Sequence, residues 1–168
     1  MLLLGDVFGV LATLVGTFLT TLALILCLGL IFPNRARLSR EALESSPGRA
    51  FGAGIVWLGL AGTGSLALIA MPSPAPKLLG TLALSFLTCV AALGAAGLAM
   101  IAAERIRRLD PNSSLMSGLT RGAAIVVGAG LFPVVGWFLV GPAIAIVGLG
   151  AGMKAVLSRG SALAEQAS

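Results

Sequence analysis

The chain has 168 residues, 58% of them hydrophobic and only 10% charged, where a soluble domain carries about 25% charged residues. That balance describes an integral membrane protein and leaves no room beside the apolar runs for a soluble domain of ordinary size. The net charge of +5 does not argue for nucleic acid, because most basic residues fall in two stretches next to apolar runs, where membrane topology accounts for them.

The first apolar run covers residues 7–32. It is too long for the middle of a signal peptide and no small-residue cleavage site follows it, so it reads as a retained span. Thr13, Thr17 and Thr20, with Gly9 and Gly16, form a small and weakly polar face suited to helix packing. Pro33 ends the helix, since the residue before a proline is pushed away from helical dihedrals.

Residues 34–50 carry Arg35, Arg37, Arg40 and Arg49 against Glu41 and Glu44. The charge rule assigns this loop to the cytoplasm. Leu38, Ala42 and Leu43 fall on one side of a short helix that could rest on the membrane surface, and Pro47 and Gly48 are expected to stop it. As a basic patch it could dock acidic lipid or an acidic protein; as a plain loop it sets topology.

The second span, residues 51–71, contains Gly52, Gly59 and Gly62 among other small residues, which let helix backbones approach where lipid supplies no hydrophobic drive. Trp57 is either an interfacial anchor or a packing residue. Residues 72–77 form a stiff, proline-rich turn with one positive charge, expected on the opposite side of the membrane. The third span, residues 78–103, is smooth in its second half, with Gly94 and Gly97 set among alanines, so another helix is expected to pack there. Arg105, Arg107, Arg108 and Arg121 then mark a second cytoplasmic loop.

Residues 122–157 hold a single charge, Lys154. A straight helix of that length would reach roughly 54 Å, against a hydrocarbon core of about 30 Å. Pro133 and Pro142, with Gly136 and Gly141 beside them, break the run. The reading is a hairpin with arms at about 122–135 and 138–157, crossing twice or re-entering, with Lys154 and Arg159 drawing the C-terminus to the cytoplasm. One long kinked helix is the alternative. The fold class is therefore all-α: a single membrane domain of three spans plus a broken helical hairpin, four to five membrane segments in all.

Little in the chain carries chemistry. Histidine and tyrosine are absent, which removes the commonest zinc and haem ligand and the usual proton-transfer side chain near neutral pH. Cys27 and Cys89 lie inside spans, where free cysteine is commonly an inert packing residue. No carboxylate pair lies within a span, and Gly59, Gly62 and Gly64 lack the Lys and Ser/Thr of a phosphate-binding loop. Neither a catalytic residue nor a metal site is expected, and no cofactor can be specified.

The stretch from Pro33 to Pro47-Gly48-Arg49-Ala50-Phe51, the glycine-rich span after it, and the ending in Arg121, Gly130-Leu131-Phe132-Pro133, Gly136-Trp137 and Gly148-Leu149-Gly150-Ala151 together resemble an uncharacterised bacterial membrane module. In that family the module is often fused behind a bactofilin-type, polymer-forming β-helical domain, which this sequence lacks. The resemblance implies a scaffold or accessory subunit in a bacterial inner or intracytoplasmic membrane, with no catalytic residues to transfer. The expected function is accordingly a non-catalytic subunit of a larger membrane complex, with lipid, other membrane subunits or a second copy of itself as partners and no nucleic acid. A small transporter or channel, or a pigment- or quinone-associated subunit, is the alternative.

Overall fold

A computed structural model of the chain describes residues 4–109, 114–132 and 134–166, and every regular element among them is helical. Four helical stretches are long and apolar enough to cross a membrane: Asp6–Ile31, Pro47–Ala70, Pro74–Leu109 and Gly136–Ser158. A shorter apolar helix occupies Met116–Leu131. The chain is an all-α, multi-pass membrane protein.

Helix α1, Leu4–Ile31, leads directly into α2, Pro33–Ser45. Pro47 then opens α3, Pro47–Trp57, as its first residue, where a proline's missing N–H is not needed. The expectation that Pro47 and Gly48 close the preceding helix is thus corrected: the break is at Ser46, and Arg49 lies in the first turn of α3. A π turn, Leu58–Gly62, joins α3 to α4, Thr63–Ala70, so the second span is one rod. After Met71–Ser73 the 36-residue α5, Pro74–Leu109, absorbs Pro74, Pro76 and Lys77 into its first turn. Helix α6, Leu115–Leu131, starts at Ser114, whose hydroxyl accepts from the Ser117 N–H at 3.2 Å. A π turn, Gly136–Val140, precedes α7, Gly141–Gln166.

Helix α5 is the centre of the bundle. Half of its most apolar window is buried by the rest of the chain, against 11% for α1, which leaves α1 at the periphery with its apolar side chains turned outward. Glycines set the helix contacts. The Gly94 Cα faces the Gly148 carbonyl, and a Cβ on Gly148 would stand 2.6 Å from the Ala91 oxygen. On the other side of α7, Gly54 meets the Ile146 carbonyl and Gly150 meets that of Ala50. At 3.6 residues per turn, Gly148 and Gly152 lie about 40° apart while Gly150 lies about 200° from Gly148. Helix α7 therefore carries glycine on two opposite faces and is squeezed between α5 and α3.

The direction of α7 follows from these contacts. Its residues 146 and 150 meet residues 54 and 50 of α3, and Gly148 and Gly152 meet Ala91 and Val90 of α5. Its numbering thus runs against that of α3, whereas on α5 it stays at one level: Gly148 meets Ala91 and Gly94, Gly152 meets Val90, and Leu149 and Met153 pack with Leu87 and Val90. The second span and α5 are antiparallel, because Gly80 packs on Ser65 and Ile69 across their short turn. Helix α7 therefore crosses α5 at a steep angle.

The C-terminal break appears where glycine and proline were expected, with a narrower turn. Among the described residues, helix geometry is lost around Phe132 and Val134, and Gly136 comes back to within 2.7 Å of the Ala129 oxygen, measured from the position of a Cβ. The chain reverses here. Pro133 lies outside the described residues. Pro142 does not break the helix: it follows a π turn in which the Gly141 N–H bonds to the Gly136 oxygen, and that wider turn accommodates the ring and the missing donor.

Candidate functional site

Most of the charged residues, though not Asp6 or Lys77, gather at one end of the bundle. Helix α2 buries Ala36, Ser39, Ala42 and Leu43, and Ala36 packs with Ala96, Ala99, Leu119 and Ala123 of α5 and α6. This corrects the expectation that Ala42 and Leu43 share a membrane-resting face with Leu38: both are buried against protein, while Leu38 is exposed. Small residues decide it: Gly97 leaves a notch in which the Arg40 N–H and Ser39 Cβ would lie 2.9 and 3.0 Å from any added Cβ. Beyond that notch α5 continues as a helix through Arg105, Arg107 and Arg108 to Leu109, so only the middle of the expected loop is non-helical. The C-terminal half of α7 reaches the same end, where Lys154 shares a groove with Ser46, Arg49 and Ser158 and another with Glu41 and Ser45.

The arginines differ in what they do there. Arg35 is half-buried and its Nη1 donates to the Ala155 and Val156 oxygens at 2.9 and 3.1 Å, tying α2 to α7. The Arg107 stem covers Gly118, whose added Cβ would meet Cγ at 3.3 Å. Its Nε is buried without a hydrogen-bond partner. Arg40 pairs with Glu44 at 2.9 Å and Arg108 with Glu104 at 3.7 Å, both one helical turn apart; such pairs contribute about 0.3–0.5 kcal/mol. Arg37, Arg49, Arg105 and Arg121 are exposed. Arg35 and Arg107 are therefore structural, and the outward-facing guanidinium groups make up the basic surface.

The small-residue positions divide in the same way. Gly94 and Gly97 are tight contacts within the chain, as expected of packing residues. Gly62 is buried, with only the Leu58 side chain of its own helix within 4 Å of an added Cβ, and Gly52 and Gly59 have nothing within 4 Å. The second span's close backbone contacts run through Gly54, against α7, and through Ser65, under Gly80 of α5. Gly122, Gly148 and Gly150 are packing residues that sequence reasoning passed over; the spacing of Gly148 and Gly152 four residues apart was a signal, but one shared with many glycines here. Trp57 packs on the cluster of Leu87, Val90, Leu149 and Met153, which decides for packing over anchoring.

An apolar crevice of about 320 Å³ lies between α1, α5, α6 and α7, with Thr21, Thr88, Ala92, Val127, Gly130 and Ile144 among its walls. Its hydroxyls are few, and that of Thr88 bonds back to the Leu84 oxygen at 2.9 Å. Thr13 and Thr17 do the same to Gly9 and Thr13, each at 2.8 Å, so the threonine face of α1 presents methyl groups more than donors. Among the described residues no group of three or more His, Cys, Asp or Glu side chains comes together, and Cys27 and Cys89 are both exposed and free. The chain matches no protein-family model, no curated protein and no solved structure.

Proposed function

We propose that the protein is a non-catalytic scaffold or accessory subunit of a larger membrane complex, acting by helix packing and by its basic end. One observation carries this reading. Of the small-residue surfaces, those on α5 and α7 are used up inside the chain, whereas the surface of the second span around Gly52, Val56, Gly59 and Thr63, like Gly9 and Gly16 of α1, has no close intrachain neighbour. Such a surface admits another helix at close range, and packing of that kind is what drives association within lipid. The gathering of both arginine stretches and Lys154 at one end supports a cytoplasmic orientation for that end, with the turn at residues 72–77 on the far side. The resemblance to a bacterial module found beside polymer-forming domains favours a bacterial inner or intracytoplasmic membrane as its location.

A photo-reactive residue at Val56, which is 57% exposed, tests the reading in native membranes. Attachment to another polypeptide is expected there, and attachment to lipid alone at Phe8 on α1. Lipid adducts alone at both positions would contradict it. A second reading, a subunit that holds a pigment or quinone, draws support from the apolar crevice under α1, whose glycine and alanine walls suit a flat apolar ligand.

A further inference from the structure

The chain reversal between α6 and α7 has the wrong chemistry for a turn in water. Phe132, Val134, Val135, Trp137, Phe138 and Leu139 are each more than half exposed, and apart from the Trp137 indole N–H they carry no polar side-chain group. The turn between the second span and α5, by contrast, holds Ser73, Lys77 and three prolines. Distance gives the same answer. Arg121 belongs to the charged end, and Phe132 lies about eleven residues along α6, roughly 16 Å of helix, or about half of a hydrocarbon core of about 30 Å.

The register of α6 on α5 provides an independent measure. The uncharged stretch of α5 between Lys77 and Glu104 is centred near Val90, and Gly130 and Leu131 share a crevice with Thr88, Ala91 and Ala92. The last turn of α6 is level with the middle of α5. On the α1 side, Leu131 and Trp137 line a groove that runs from Thr17 past Thr13 and Gly9 to Asp6 in the first turn of that helix. Helix α7 fits the depth read from α5: from Trp137 to Lys154 is roughly 26 Å of helix, which regains the charged end from mid-depth only if strongly inclined, as its steep crossing of α5 requires.

We propose that α6 and α7 form a re-entrant hairpin whose tip, carried by Phe132, Val134, Trp137, Phe138 and Leu139, rests among lipid acyl chains inside the bilayer. The tip does not reach water on the far side. Backbone in hydrocarbon must be satisfied internally, and the reversal meets much of that demand: the Gly136 N–H donates to the Phe132 oxygen at 2.8 Å and that of Phe138 to the Val134 oxygen at 3.0 Å. The inference does not depend on the scaffold role.

The chain holds two tryptophans, so Trp57→Phe leaves Trp137 as the sole reporter. In vesicles of acyl-brominated phosphatidylcholine its emission is expected to fall to a small fraction of that in unbrominated vesicles, with aqueous iodide causing little loss. Quenching by iodide without quenching by bromine would put the tip in water, and quenching by neither would put it under a second copy or another subunit; either overturns the proposal. Because Trp57→Phe could loosen its cluster, Phe138→Cys in a chain lacking Cys27 and Cys89 supplies a second measurement. It should resist an impermeant thiol reagent from both sides of the membrane, while Ser73→Cys reacts from one. Reaction of Phe138→Cys from that same side refutes a re-entrant tip.

Discussion

Replacing Gly94 by alanine tests the packing argument at its tightest point. The added Cβ would stand 2.5 Å from the Gly148 Cα, with the Gly148 carbonyl closer still. Ordinary carbon contacts are about 3.5–4.0 Å, so α5 and α7 must part by about 1–1.5 Å. No flexible side-chain end is there to yield. A gap of about 1 Å already forfeits up to about half of each affected contact, and Leu87, Val90, Leu149 and Met153 straddle the same crossing. Overpacking of this kind costs about 1–3 kcal/mol. Gly59→Ala is the matched control, because nothing lies within 4 Å of its new methyl and alanine is better than glycine in a helix interior by about 0.5–1 kcal/mol. Reversible unfolding of the purified protein in mixed micelles, followed by tryptophan emission, should find Gly94→Ala destabilised and Gly59→Ala unchanged or stabilised. Equal midpoints for the two variants would refute the assignment of Gly94 to a backbone contact.

Further outcomes follow from single residues. Ser39 is fully buried and its Oγ has no partner, so Ser39→Ala should raise stability by about 1 kcal/mol in the same unfolding assay; a loss would mean that the hydroxyl has a bonded partner. Arg35→Met keeps the stem but removes the donors to Ala155 and Val156, and should cost about 1.5–3 kcal/mol and free the C-terminal half of α7 to proteolysis; unchanged proteolysis would count against the tie. Val134 has a φ of 65°, where a β-branched residue is strained by at least about 1–2 kcal/mol. Val134→Gly is expected to raise the unfolding midpoint, and a fall would argue against that backbone conformation. Cysteines at Ser46 and Ser73 in a chain without Cys27 and Cys89 should label from opposite sides of intact cells, position 73 from outside; the reverse pattern would invert the topology.

The spans were legible because length and hydropathy suffice to find them, and Pro33 and the proline-rich turn marked real ends. Helix α2 was harder. Its pattern showed Leu38, Ala42 and Leu43 together, but docking was decided by Ala36 and Ser39, residues small enough to enter the notch at Gly97, and no periodicity of large apolar residues reports that. The glycines posed the same difficulty in another form. Gly52 and Gly54 are alike in sequence, yet one opens outward and the other touches the Ile146 carbonyl, because a two-residue step turns a helix by about 200° and the sequence does not say which face meets α7. In the last segment the two prolines looked equivalent. A π turn, formed ahead of Pro142, let the helix continue through it.

The most direct test of a packing role is the mass of the native assembly. Extracted in mild detergent from its own membrane, the 16.8 kDa chain should run as part of a larger complex, and Gly59→Leu should release it from that complex while membrane insertion and its own unfolding midpoint stay normal. A native mass of one chain in detergent, or a complex that survives Gly59→Leu intact, would contradict the account.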